Sequence, residues 1–134
     1  MAVLKDETHD VLTSEDVVVV RRIVREWSGA IGFSLVDQTK LITAASEVAR
    51  NAVQYGGGGT LRIQALNDGA KRGIRLEVTD SGPGIPDVSQ AMRDGYSTGG
   101  GLGLGLGGAK RLVNEFSIES QVGRGTRVTI TRWK

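Results

Sequence analysis

The sequence predicts a two-layer α/β (α+β) sandwich, in which helices cover one face of a mixed, largely antiparallel sheet. Two long segments, residues 14–29 and 36–55, repeat apolar residues at helical spacing. Shorter segments alternate apolar and polar residues, as half-buried strands do, and glycine-containing turns separate them in pairs. Helices and strands of this kind within 134 residues are expected to form two layers around one core.

The composition is that of one globular domain spanning residues 1–134. Aromatic residues make up only 4% of the chain, so the core is expected to be aliphatic. The net charge of +2 gives no support to nucleic-acid binding. The absence of cysteine excludes disulfide and thiol chemistry. The N-terminus is too polar for a secretory signal, and no apolar run reaches the roughly 20 residues of a membrane span. The prediction is a cytoplasmic protein with no membrane partner.

The N-terminal part of the chain is expected to contain a short strand and a long helix. Residues 1–9 are predicted to be poorly ordered, and residues 8–12 could form a short strand. Thr13 or Ser14 can cap a helix that runs to about Gly29, with acidic residues in its first turn. The β-branched run 17–20 favours a strand, but the longer helical periodicity decides for a helix.

A second helix is predicted from about Val36 to Tyr55, before a run of four glycines. Beside its buried apolar stripe, a second stripe of polar residues at four-residue spacing shares one face of the helix: Thr43, Glu47 and Asn51. Strands are then expected at residues 60–67, 74–79, 116–121 and 126–132. Between them lie a short helix at 87–94, an irregular lid at 95–103 and a third main helix from about Gly105 to Glu115.

The segment Asp80–Gly108 is unusually rich in glycine. Glycine permits close backbone approach and exposes N–H groups, which phosphates commonly use. The segment lacks the P-loop pattern. It contains G-x-G-x-x-G at 103–108, but no strand directly precedes it, as a dinucleotide-binding fold requires. A flexible linker is the plainest alternative, but it does not explain why an amphipathic helix begins inside the run.

Glu47 and Asn51 share one face of the predicted second helix, about one turn apart. For a single pair of this kind a solvated helix face is the ordinary interpretation, but the alanines around this stripe indicate close packing. A carboxylate and an amide on one face can hold Mg²⁺, and the carboxylate can also accept a hydroxyl proton.

Asp80 ends a predicted strand just before a Gly82-Pro83-Gly84 turn. The ordinary interpretation is an Asx turn. The alternative is that its carboxylate accepts a hydrogen bond from an exocyclic amine such as that of adenine, with the glycines leaving room for a flat ring. Residues 123–126, Gly-Arg-Gly-Thr, are by themselves a plain hairpin turn.

Together these segments resemble, in order, the four nucleotide-binding boxes of the GHKL ATPase/kinase superfamily, whose ATP-binding core is the Bergerat fold. They are Glu47-x-x-x-Asn51, Asp80-Ser81-Gly82-Pro83-Gly84, Gly101-Leu102-Gly103-Leu104-Gly105 and Gly123-Arg124-Gly125-Thr126. The stretches ITAASEVARNAV, DSGPGIPDVSQAMRDGYSTGGGLGLGLGGAKRL and NEFSIESQVGRGTRVTITRWK further resemble the RsbT-type switch kinases of bacterial stress signalling. This likeness covers nearly the whole chain from about Asp10 onward.

The resemblance implies a role for each matching residue. Glu47 would be the general base and Asn51 the Mg²⁺ ligand. Asp80 would bind the adenine amino group. Gly82 and Gly84 would lie beside the adenine ring, and Thr126 would support this contact. The second glycine box would wrap the phosphates of ATP; its residues here are Gly101, Leu102, Gly103, Leu104 and Gly105.

The resemblance also implies the activity and its partners. Relatives of this type are serine/threonine kinases that phosphorylate a STAS-domain antagonist protein, after which the released kinase activates a phosphatase. The alternative is a nucleotide-binding regulatory module that acts by sequestering a partner, as anti-sigma relatives do. Because His9 is the lone histidine of this sequence, a separate phosphoacceptor-histidine domain is not expected, and His9 is interpreted as an exposed bystander. Nothing in the sequence indicates the oligomeric state.

Overall fold

A computed structural model describes residues 1–93 and 105–134 of the chain. The elements in those two ranges are β1 (Ala2–Val11), α1 (Ser14–Ala30), α2 (Leu35–Gly56), β2 (Gly59–Asn67), β3 (Arg72–Asp80), α3 (Val88–Ala91), α4 (Gly105–Arg111), β4 (Glu115–Gln121) and β5 (Gly125–Trp133). The predicted lid at 95–103 lies outside the described residues.

The strands form one five-stranded sheet in the order β1-β2-β3-β5-β4. Every neighbouring pair of these described strands is antiparallel. The predicted two-layer α/β sandwich is therefore confirmed, with a sheet that contains no parallel pair within the described ranges. The order places the C-terminal end of β3 beside the N-terminal end of β5, because these antiparallel strands are neighbours at the centre of the sheet.

Helices α1 and α2 pack on one face of this sheet and share an apolar core with it. Because successive side chains of a strand point to opposite faces, alternate residues of the central strands enter this core. The strand residues that do so include Leu61, Ile63, Ile74, Leu76, Val78, Val128 and Ile130. The core is almost entirely aliphatic, as the scarcity of aromatic residues predicts.

Both long helices begin at capped residues. Thr13 Oγ1 accepts a hydrogen bond from Asp16 N at 3.3 Å, and Asp16 Oδ2 accepts one from Thr13 N at 3.2 Å, which forms a reciprocal capping box at α1. Ser34 Oγ accepts from Asp37 N at 3.1 Å at the start of α2. These bonds satisfy N–H groups that have no partner within the helix, so the helices begin where the sequence places them.

The first strand corrects the prediction for the N-terminus. Residues 2–11 form β1, a long edge strand paired with β2, instead of a poorly ordered segment followed by a strand at 8–12. Two contacts of its polar side chains explain this. Asp6 accepts a two-pronged hydrogen bond from Arg62 at 2.6 and 3.0 Å, and Lys5 Nζ lies 4.3 Å from the centre of the Trp27 ring.

The third main helix is shorter than predicted. Helix α4 ends at Arg111 instead of near Glu115. The backbone N–H of Asn114 donates to Thr131 O at 2.9 Å, and Asn114 Oδ1 accepts from Trp133 N at 2.7 Å. The chain has therefore already joined the sheet by Glu115, the first residue of β4.

No helix within the described ranges is both long and apolar enough to cross a membrane.

Candidate nucleotide-binding site

Helix α2 places Glu47 and Asn51 side by side, one turn apart. The helix is held against the sheet by a buried stripe of small and apolar residues, Ala44, Ala45, Val48, Ala49 and Ala52. The Glu47 side chain is only 12% exposed, and Asn51 is half-buried. This polar pair therefore lies at the edge of the core, as its alanine surroundings indicate, and is not part of an open helix face.

The Glu47 carboxylate is held by hydrogen bonds at both oxygens. Oε1 accepts from Arg50 Nη1 at 3.0 Å, and Oε2 accepts from the backbone N–H of Gly105 at 3.2 Å. Gly105 is the first residue of α4 and has a positive φ of 67°. The structure thus joins the last glycine of the second glycine box to the candidate base; the other residues of that box, Gly101, Leu102, Gly103 and Leu104, lie outside the described ranges.

Asp80 ends β3 as a buried carboxylate, with only 8% of the residue exposed. It lies opposite Gly59 on β2 and Thr126 on β5. Its Oδ1 accepts from Gly82 N at 3.0 Å, which is the Asx-turn bond considered from the sequence. This bond is to Oδ1, and the predicted contact of the carboxylate with an adenine amino group stays a prediction.

The end of α2 lies directly against Asp80. A Cβ built on Gly56 would stand 2.5 Å from both Cβ and Oδ2 of Asp80, and one built on Gly82 would stand 2.6 Å from Gly56 Cα. Real Cβ atoms essentially never approach other atoms this closely. Glycine is therefore required at both positions for the helix end, the strand end and the turn to meet.

The turn after Asp80 is tied to the β4–β5 hairpin. Gly84 has φ of 79°, and Gly123 N donates to Pro83 O at 2.8 Å. Ser120 Oγ accepts from Ile85 N at 2.8 Å and lies 2.8 Å from Thr126 Oγ1. The structure thus places Gly82 and Thr126 beside Asp80, whereas Gly84 lies against the backbone of Gln121 and Val122. The predicted contacts of Gly82, Gly84 and Thr126 with the adenine ring stay predictions.

Three residues of this site were missed from the sequence: Gly56, Arg50 and Ser120. Gly56 belongs to a glycine run that, in the sequence, indicates only a flexible end of the helix. Its contact with Asp80 depends on tertiary packing, which the run does not reveal. Ser120 faces Thr126 through strand pairing. Arg50 had a usable signal, because an acid and an arginine three residues apart on a helix are neighbours.

The residues present fit a nucleotide with Mg²⁺. No group of three or more acidic or histidine side chains that could hold a metal occurs in the described part of the chain. Mg²⁺ bound to nucleotides needs only one or two protein ligands, because phosphate oxygens and waters fill the remaining positions. One amide oxygen beside one carboxylate, as on α2, is a donor set of that kind.

Comparison with known proteins identifies the family. The profile of the family described as "Histidine kinase-, DNA gyrase B-, and HSP90-like ATPase" matches residues 36–134. The chain belongs to this family. It is also 44% identical over 123 residues to the serine/threonine-protein kinase RsbT of Bacillus subtilis, covering 92% of both chains. The predicted membership of the GHKL superfamily and of its RsbT-type serine/threonine kinases is therefore confirmed, and with it an ATP-binding domain.

Other relatives of this GHKL chain are regulatory proteins of bacteria. An anti-sigma F factor from a Thermoanaerobacter species is 28% identical over 126 residues, covering 90% of this chain and 87% of the relative. The crystal structure of the RsbU and RsbW domains of Rv1364c from Mycobacterium tuberculosis superposes with a TM-score of 0.67 at 26% identity. That comparison covers 97% of this chain and 33% of the larger protein.

Proposed function

We propose that this protein is an ATP-dependent serine/threonine kinase that phosphorylates a STAS-domain antagonist protein and, once released, activates a partner phosphatase. The observation that carries the proposal is the Glu47 carboxylate, oriented at both oxygens and one helical turn from Asn51. A protein that only binds nucleotide has no need of an oriented base at this place. The 44% identity to a serine/threonine kinase over most of both chains supports the same activity.

In this proposal the adenine end of the nucleotide lies at Asp80, and its phosphate end lies at Glu47 and Asn51 on α2. The Asp80 carboxylate accepts a hydrogen bond from the adenine amino group, while Thr126 and Ser120 hold the turn beside the ring. Asn51 binds Mg²⁺, and the second glycine box, which ends at Gly105, donates backbone N–H groups to the phosphates. The bound metal ion neutralises charge on the phosphate oxygens, which is a main source of catalysis in phosphoryl transfer.

Glu47 performs the proton transfer. Its carboxylate accepts the proton of the substrate serine or threonine as the hydroxyl oxygen bonds to the γ-phosphorus. The bond from that phosphorus to the bridging oxygen breaks, and ADP leaves with the electron pair. Each carboxylate oxygen offers about two lone-pair directions. Each Glu47 oxygen has one hydrogen bond among the described residues, so one direction on each remains for the incoming hydroxyl.

The test is transfer of phosphate in a purified system. The chain, Mg-ATP and a STAS-domain protein encoded nearby are mixed, and phosphate on serine or threonine is followed with time. Wild type and Glu26→Gln, a matched change on the exposed face of α1, are expected to transfer phosphate at equal rates. Glu47→Gln is expected to bind ATP but to transfer phosphate at least about 100-fold more slowly than the wild type, a loss in the range typical for removal of a general base.

Release and phosphatase activation are tested in the same mixture. Addition of ATP is expected to dissociate the complex of kinase and antagonist, and the freed kinase is expected to raise the rate of a partner phosphatase. ATP binding without transfer in the wild type would favour the alternative function, a nucleotide-dependent module that sequesters its partner. The observation that supports this alternative function is the 28% identity to an anti-sigma factor.

A further inference from the structure

We propose that Arg50 is a positioning residue that orients the Glu47 carboxylate for catalysis without contacting the nucleotide. This inference rests on the proposed function of Glu47 as base. The observation is the 3.0 Å bond between Arg50 Nη1 and Glu47 Oε1, within one turn of α2. Because both residues belong to the same helix, the pair is in place before any ligand binds.

The burial of the two side chains separates this pair from an ordinary surface ion pair. Glu47 is 12% exposed and Arg50 is 36% exposed. The pair Arg22–Glu26 on α1, by contrast, is 65% and 66% exposed, and its atoms are 3.9 Å apart. An exposed pair of that kind contributes little to stability. The acid of the α2 pair is nearly enclosed and has its second oxygen on Gly105 N.

The two bonds fix the direction of the carboxylate. A glutamate side chain has three rotatable bonds, and one contact leaves the group free to turn about it. The Arg50 donor comes from the same helix and binds Oε1, and the Gly105 donor comes from the start of α4 and binds Oε2. With both hydrogen bonds present, the plane of the carboxylate is defined. This matters because catalytic groups need to be positioned within about 0.5 Å.

The guanidinium is suited to this task because it remains charged at all working pH values and has five N–H donors. Its bond to Oε1 uses one lone-pair direction of that oxygen and leaves the other for the substrate hydroxyl. Removal of Arg50 would leave Gly105 N as the only described donor to Glu47. The proton transfer would then depend on a carboxylate that samples several directions.

The kinetic test compares Arg50→Met, Arg50→Lys and the control Arg22→Met in the transfer assay. Arg50→Met is expected to lower kcat about 10- to 100-fold, the scale of a misplacement of about 1 Å, with KM for ATP changed less than about twofold. Arg50→Lys restores a charged donor and is expected to recover part of kcat. Arg22→Met is expected to match the wild type. A higher KM with unchanged kcat would instead make Arg50 a nucleotide ligand and overturn the inference.

A double variant separates action through Glu47 from direct action on the phosphates. In a Glu47→Gln background, Arg50→Met is expected to cause no further loss of kcat, because the two residues act as one unit. If the kcat losses of Glu47→Gln and Arg50→Met multiply in the double variant, the inference is overturned.

A readout without catalysis keeps this inference distinct from the kinase proposal. The amide resonance of Gly105 reports on its bond to Glu47 Oε2 in the free protein. Arg50→Met is expected to move this resonance towards its position in Glu47→Gln, whereas Arg22→Met leaves it unchanged. If the wild type transfers no phosphate, the proposed function fails while this measurement still decides the positioning role. An unmoved Gly105 resonance in Arg50→Met would overturn that role.

Discussion

Arg132 Nη2, near the end of β5, donates a hydrogen bond of 2.6 Å to Asp37 Oδ1 in the first turn of α2. The same guanidinium donates through Nη1 to Leu112 O, at 2.8 Å. This contact joins the sheet to the start of the helix whose later turns carry Glu47 and Asn51. The hydrogen bond from Arg132 holds the pKa of Asp37 below its ordinary value of 3.8.

The Asp37–Arg132 pair predicts a loss of stability in acid. Because the folded pKa lies below the unfolded one, the stabilisation is fully present above the unfolded value of 3.8 and is lost as pH falls through the folded value. Urea midpoints of wild type and Asp37→Asn are measured from neutral pH downward. The variant is expected to have a lower midpoint at neutral pH, with the gap closing below 3.8. A gap that stays constant into acid would contradict this assignment.

Asn51→Ala is expected to abolish the Mg²⁺-dependent part of ATP binding while the fold survives. Asn51 is half-buried at the surface of α2, so loss of its amide leaves the core intact. Calorimetric titration with and without Mg²⁺ is expected to show that the affinity for ATP in the presence of the metal falls at least about 10-fold, which is the scale of a perturbed metal site. Gln54→Ala, an exposed change on the same helix, is the control. Undiminished ATP affinity in folded Asn51→Ala would refute the role.

Asp80→Asn is expected to weaken ATP binding about 10- to 100-fold, because a charged acceptor of the adenine amino group is replaced by a neutral amide. The amide oxygen can still accept from Gly82 N, so the Asx turn is retained and the change tests recognition more than folding. Thermal unfolding checks the fold, and competition with GTP checks base selectivity. Equal affinity of wild type and variant for ATP would exclude Asp80 from the adenine contact.

Gly56→Ala is expected to damage both stability and ATP binding. The new Cβ would stand 2.5 Å from Asp80 Oδ2, so helix end and strand end must separate, at a cost of about 1–3 kcal/mol. Gly29→Ala in α1 is the matched control, since the nearest atom to its Cβ would be Gln38 Nε2 at an ordinary 3.7 Å. Urea unfolding and ATP titration measure both effects. A Gly56→Ala protein with wild-type stability and affinity would mean that this close contact is unimportant.

The sequence predicted most of the elements because their signals are local. Helix α2 has a helical apolar stripe and a terminal glycine run, and its observed bounds differ by one residue at each end from those predicted. The first half of strand β1 has no such signal, because Lys5, Asp6 and Glu7 interrupt the apolar and polar alternation of a half-buried strand. Only pairing with β2 makes this segment a strand.

The candidate site was predicted in its parts but not in its connections. The resemblance to the four GHKL boxes singled out Glu47, Asn51 and Asp80, and their roles stay predictions. The bond from Gly105 N to Glu47 and the packing of Gly56 on Asp80 join residues far apart in the chain. No local pattern encodes such contacts, since they follow from how α2, β3 and α4 are arranged.

The proposed transfer of phosphate from ATP to a protein hydroxyl, with Glu47 as base, can be tested on the substrate itself. The most direct measurement is the intact mass of the STAS-domain protein after incubation with the kinase and Mg-ATP. The substrate is expected to gain the mass of one phosphate with the wild type, none within the same time with Glu47→Gln, and none when its acceptor serine or threonine is replaced by alanine. Glu47 would not be the base if Glu47→Gln modified the substrate as fast as the wild type. The transfer itself would be contradicted if the wild type bound ATP but left the substrate unmodified.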